Sequence, residues 1–444
     1  MRRFSICLWF LASWSPGKNN DLSACHAALP MVFRRKLSFA ESPSLAATTL
    51  CRIIAVGLTA AVLLVPGRSF AQAQPPTLPK RRTPRTFPLT KFYNTPHPLT
   101  AGKPGDLIRS QPFDEYELPF SVSAVRILYR SRSAAGEDVA VSGVVLFPYD
   151  KKPPAGGWPV IAWAHGATGV ARSCAPSLTR NLGHGPFLAM YANLGYAVVA
   201  TDYTGLGTDF RNAFLDGPSN AADLIASIPA ARAAVPQLGA RWIVMGEAEG
   251  SLAALAVAEK ENEIRDPAYL GSIAISGFAG AQEIYGHAAA GSSGFTFASL
   301  AYGIKTVYPE FQVTDMLTEK ALALYGEIGK ICWEAEASAG PSPAETVKPS
   351  WTDNPFVRQY FARNNFAQAR MHAPILLISS DADPALPATT TAQTVAAMCK
   401  QGDAIQWQRY PGPEPGSVMG DSVREQMFWI EARFAGRPAP TTCR

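Results

Sequence analysis

Residues 241–261 read RWIVMGEAEGSLAALAVAEKE: an apolar run, the pentapeptide Gly246-Glu247-Ala248-Glu249-Gly250, then an Ala- and Leu-rich segment of helical character. A buried strand turning sharply into a helix through G-x-S-x-G is the setting of a nucleophilic serine. The glycines are needed because the turn is tight and the central backbone strained, so the neighbours must lack side chains. The central position here holds Ala248, and a methyl group cannot attack a carbonyl. Ser251, one turn into the helix, reads as a small packing residue. Glu247 and Glu249 flank the position a carboxylate nucleophile would need, which leaves them general acid–base work on another bond as a minor reading. The chain has no Walker loop, no H-E-x-x-H and no EF-hand loop, and Gly205-Leu206-Gly207 lacks the dinucleotide spacing. No cofactor and no metal are expected.

The elements that must hold this turn follow from periodicity. Strand candidates fall at 125–129, 139–147, 160–164, 197–201, 242–245, 272–276, 375–379 and 405–410. Helix-length segments lie at 186–194, 221–234, 251–261, 389–399 and 422–434. Early strands joined by short turns, then strands alternating with helices, predict an α/β fold with a mostly parallel sheet and helices on both faces. The interval from about 280 to 370 carries helical patterns at 297–308, 313–328 and 356–366 and no clear strand. So long a connection needs structure of its own. It reads as a helical cap inserted above the sheet, with a separate helical domain as the alternative.

Residues 1–73 read as a leader. The uncharged run at 53–65 follows Arg52 and precedes Ala71-Gln72-Ala73, the order of a signal peptide cleaved after Ala73. Thirteen apolar residues fall short of the roughly 20 that span a membrane, so no stable span is expected after cleavage. Met31 is the alternative start. Residues 74–91, rich in Pro and basic side chains, read as a linker, and 92–444 as the folded domain. The chain of 444 residues has net charge +5, but the leader holds eight Lys and Arg against two acids. The remainder, with 32 basic and 33 acidic residues, is near neutral, which removes the charge argument for nucleic-acid binding. Four of the seven cysteines are in the mature part: Cys174, Cys332, Cys399 and Cys443. An even count in an exported chain predicts two disulfides. Of three connectivities, Cys174–Cys332 with Cys399–Cys443 is preferred, the second fixing the C-terminus.

Taken in order, several segments resemble the secretory lipase family of α/β-hydrolases: Ala164-His165-Gly166-Ala167-Thr168-Gly169, Cys174-Ala175-Pro176-Ser177, Thr201-Asp202-Tyr203-Thr204-Gly205-Leu206-Gly207, the turn at 246–250, and Arg433-Phe434-Ala435-Gly436. The resemblance covers roughly 106–444 and implies the α/β-hydrolase fold and carboxylester hydrolysis in lipid catabolism. It puts the acid at Asp383, with Asp381 second, and the base at Pro415, where no imidazole stands. No histidine occurs after His372, so in the chain order Ser, Asp, His the base is missing. The oxyanion donors it implies are backbone N–H groups of Glu249 and of Ala167 or Thr168. His165, His184, His287 and His372 read as structural. The reading is an exported lipase-like chain that has lost ester hydrolysis and binds a small neutral apolar or ester-like ligand. The alternative is the active carboxylester hydrolase that resemblance alone implies.

Overall fold

The computed structural model of the chain describes residues 86–277, 293–333, 341–366, 369–383, 386, 388–412 and 415–443. The leader, its apolar run and most of the linker lie outside the described residues. Nine strands form: β1 Leu107–Pro112, β2 Val122–Arg132, β3 Asp138–Pro148, β4 Trp158–Ala164, β5 Ala197–Thr201, β6 Leu238–Glu247, β7 Tyr269–Ile275, β8 Ile375–Ser380 and β9 Ile405–Tyr410. They make one sheet in the order β1-β2-β3-β5-β4-β6-β7-β8-β9. Pairing is antiparallel from β1 to β5 along that order and parallel from β5 to β9. Alternate residues of the central strands enter different cores. Val160, Ala162 and Ala164 lie on one face, Ile161 and Trp163 on the other, and Ile375 and Leu377 are opposed in the same way to Leu376 and Ile378. Strands covered on both faces have no side to leave polar, which is why they appear in the sequence as unbroken apolar runs.

Helix α1 Gly185–Asn193 packs on one face of the sheet, α2 Gly217–Ala234 and α3 Glu249–Ile264 on the other. Between β7 and β8 the described residues hold α4 Gly294–Val307, α5 Glu319–Glu327, α6 Pro343–Thr346 and α7 Pro355–Arg363. Phe295, Phe297, Leu300 and Ile304 of α4 and Val357 and Tyr360 of α7 bury in the same core as α2 and α3, so the helical insertion and the sheet share one interior. After β8 come α8 Ala388–Gln401, α9 Pro415–Asp421 and α10 Val423–Phe434. Both preferred disulfides are present, Cys174–Cys332 and Cys399–Cys443, with Cα atoms 5.3 and 5.2 Å apart.

One sequence expectation needs correction. The segment 86–91, assigned to the linker, belongs to the folded unit: Phe87 is buried, and its N–H donates to Leu178 O at 2.6 Å. The reason is Arg126, a fully buried guanidinium 3.3 Å from the Phe113 ring centroid and 5.2 Å from that of Phe87, a cation that these faces stabilise. Pro415, the base position of the resemblance, opens α9.

Candidate functional site

β4 and β6 are neighbours, with Ala164 opposite Gly246, and their onward connections diverge to opposite sides of the sheet. Such a switch point opens a crevice beyond the carboxyl ends of the strands. The loop leaving β4, residues 165–169, and the turn leaving β6 meet there.

The turn has the strain its sequence predicts. Ala248 takes φ 51° and ψ −116°, a region that residues with side chains occupy at a cost of about 1–3 kcal/mol. Its N–H donates to Ile275 O at 3.0 Å. A Cβ on Gly246 would lie 2.0 Å from Gly250 O, and one on Gly250 would lie 1.9 Å from Ala164 O. Only glycine fits at either position. Helix α3 begins at Glu249, leaving its first amides without intrahelical acceptors. Ala167 and Thr168 are half-buried, and their N–H groups have no hydrogen-bond partner among the described residues. Among the described residues, then, nothing accepts from the Ala167 and Thr168 donors named by the resemblance.

The two glutamates go to different places. Glu249 is buried, and its Oε1 accepts from Leu215 N at 2.9 Å and Asn220 Nδ2 at 3.0 Å. Burial pushes this carboxyl up to about 7; those two hydrogen bonds pull it down and Asp216 pushes it up. Asn220 lies on α2, whose N-cap Asp216 is gripped by Arg363 at the end of α7, Nε to Oδ1 2.7 Å and Nη2 to Oδ2 3.1 Å. Asn364 Oδ1 accepts from Gly217 N at 2.8 Å. One buried polar network thus joins the helical insertion to the elbow. Glu247 is half-buried and turns toward the other loop: a Cβ on Gly166 would lie 2.7 Å from its Oε2 and 3.3 Å from the Ala248 methyl. Burial also raises Glu247 to about 7. One carboxyl is thus held behind the turn by Leu215 and Asn220, and the other lies against the β4 loop.

The remaining candidates separate in the same way. Ser251 is fully buried, and its Oγ donates to Ala248 O at 2.7 Å and contacts Ser276 O at 3.2 Å. It secures the turn. Asp381 is ion-paired with Arg409 at 2.8 Å. Asp383 is half-buried, and its Oδ1 accepts from Leu386 N at 3.1 Å. Asp383 follows β8 and Pro415 follows β9, two and three strands along the same carboxyl edge from Ala248. His165 is buried and stacks on Tyr203 at 4.3 Å; its Nδ1 lies 2.6 Å from Gly166 O and its Nε2 3.2 Å from Asp202 O. Burial lowers its pKa, while the two backbone carbonyls raise it. His184 packs edge-on against Trp163, and His287 lies outside the described residues.

The β4 loop is strapped to the insertion. Gly169 pairs with Cys332, Trp333 N donates to Thr168 O at 2.9 Å, and the Cys174–Cys332 disulfide closes the same contact. Sequence reasoning named the Cys174–Cys332 disulfide but missed the backbone pairing around it and the Asp216–Arg363 anchor. Asp216-Gly217-Pro218-Ser219 did carry a signal, an N-cap residue followed by proline in the first turn. Two cavities of about 650 and 600 Å³ lie away from the turn. One is at the amino end of β7 and β8, lined by Glu261, Arg265, His372 and Arg433. The other lies between the β2–β3 turn and α4, and reaches Asn220. Among the described residues no cluster of His, Cys, Asp and Glu could hold a metal, and no helix is long and apolar enough to cross a membrane.

No family model and no curated protein matches the chain. Solved structures do. A rice cell wall degrading esterase LipA from Xanthomonas oryzae aligns at TM-score 0.64 and 19% identity, over 75% of this chain and 98% of that one. Candida antarctica lipase A in its closed state aligns at TM-score 0.69 and 17% identity, over 81% of this chain and 89% of that one. Likeness at such identity speaks for the fold, and the sheet order, the diverging connections and the strained turn agree with it. The chain has the α/β-hydrolase fold, and its structural neighbours are lipases and esterases.

Proposed function

We propose that this chain is an exported, lipase-like homologue that has lost ester hydrolysis and keeps its elbow as a binding site for a neutral apolar or ester-like ligand. The observation that carries the reading is Ala248: a residue without a hydroxyl, in the strained conformation that suits a nucleophile. Loss of the nucleophile alone can cost about 10⁶ in kcat. In the same reading Pro415 is the altered base position and Asp383 the retained acid. The N–H groups of Ala167, Thr168 and Glu249 are the surviving oxyanion donors, now free to hold a ligand carbonyl. Export is supported by the apolar run at 53–65 with its small-residue cleavage site and by two disulfides, which persist in oxidising compartments.

A second reading, an active carboxylester hydrolase, is favoured by the esterase and lipase identity of the structural neighbours. It needs a nucleophile other than residue 248, and the nearby Ser251 is enclosed. Turnover of short- and long-chain esters by purified, disulfide-intact protein separates the two. The proposal expects rates equal to the uncatalysed background, and turnover that survives stringent purification overturns it.

A further inference from the structure

Glu247 is poorly explained by folding alone. It ends β6, where burial disfavours the charged form, and among the described residues nothing ion-pairs with or hydrogen-bonds its carboxyl. Glu249, two residues on, has its partners inside the protein. Glu247 Oε2 instead lies against Gly166, beside the Ala248 methyl and next to the loop bearing Ala167 and Thr168, whose N–H groups have no acceptor among the described residues. Its charge is felt by Tyr203, whose hydroxyl donates to His165 O at 3.1 Å.

A hydrogen-bond acceptor and a set of hydrogen-bond donors therefore stand side by side, with a methyl where an attacking group would be. A group that satisfies both at once carries an acceptor and a donor on the same carbon, as a carboxamide does with its carbonyl oxygen and its N–H. We propose that the elbow takes apolar carboxamides, the carbonyl oxygen received by the backbone N–H groups and the amide N–H donated to Glu247. This rests on the reading that the elbow still binds a ligand, and it names the ligand's class. The ester of the same chain offers the oxygen but no donor and leaves the carboxyl unpaired. A fatty-acid anion sets a second negative charge beside the first. Sites built to hydrogen-bond an N–H discriminate strongly against analogues lacking it, because their own polar group is left without a partner. No bond is made or broken in this scheme.

The test is calorimetric titration of the mature, disulfide-intact protein at pH 8 with dodecanamide, methyl dodecanoate and dodecanoate, each below its aggregation limit. Wild type should bind the amide at least about tenfold more tightly than the ester, with the acid weakest. Glu247→Leu should bring amide and ester to within about twofold and improve dodecanoate about tenfold or more, a gain that misfolding cannot produce. Glu247→Gln, which keeps the shape, should also admit dodecanoate while retaining part of the amide preference. Equal binding of amide and ester by wild type, or an unchanged order in Glu247→Leu, refutes the amide assignment and leaves the binding reading standing. Failure of all three ligands to bind wild type refutes both.

Discussion

Glu249 gives the sharpest thermodynamic test, because its perturbation has a sign as well as a size. Its carboxyl moves from an ordinary 4.5 to about 7 in the folded protein, chiefly through burial. Between those values the folded state holds a proton that the unfolded state has lost, so stability falls as pH rises from about 4.5 to 7 and stays low above it. At 1.36 kcal/mol for each pKa unit, a shift of this size amounts to about 3 kcal/mol at pH 8 and less than about 1 kcal/mol at pH 5. Glu249→Gln removes the titration while leaving an oxygen to accept from Leu215 N and Asn220. Any constant offset from the amide substitution cancels between the two pH values. Glu247 and Asp223, also raised to about 7 by burial, act in the same direction but are common to both proteins. The variant should therefore gain several degrees in thermal midpoint relative to wild type on going from pH 5 to pH 8. Differential scanning fluorimetry at the two pH values measures this. An equal difference at both, or one that turns against the variant at pH 8, would refute the account of Glu249 as a buried carboxyl held behind the elbow.

Other outcomes follow from the same geometry. Ala248→Gly should stabilise the protein by about 1 kcal/mol, since relief of φ 51° outweighs the added freedom of the unfolded chain; urea midpoints check it, and a destabilised variant would show that the elbow is not strained. Arg363→Ala leaves the fully enclosed Asp216 carboxylate without its cation and should cost about 3 kcal/mol, read as a lowered thermal midpoint. Mature protein denatured without reductant should expose no thiol to alkylation at Cys174, Cys332, Cys399 or Cys443, and labelling at any of them counts against the pairing.

The run at 197–201, buried on both faces, was legible because its chemistry is local, and it matches β5 residue for residue; the run at 405–410 matches β9, an edge strand that shows in the alternation of Ile405 and Trp407 with Gln406 and Gln408. β1 escaped because Leu107–Pro112 is a half-exposed edge strand with Arg109, Ser110 and Gln111 at its centre. α9 escaped because Pro415-Gly416 has the composition of a turn, although proline also suits the first turn of a helix. At the elbow, the two glycines and the strained residue could be read from five letters, since tight backbone approach dictates them. The directions of the flanking glutamates could not. Glu249 is set by Leu215 and Asn220, some 30 residues away, and that region is tied by Arg363, 147 residues beyond Asp216. Such partners are chosen by packing between β6, α2 and the helical insertion, and no local pattern records them.

Whether residue 248 does any chemistry can be asked directly by intact-mass analysis after incubation with a fluorophosphonate, a reagent that marks activated serines. The account predicts that wild type gains no adduct. It also predicts that Ala248→Ser gains little, because a serine without a base remains a weak nucleophile. An adduct on the wild-type protein, mapped to a serine bordering the elbow, would contradict the claim that hydrolysis has been lost.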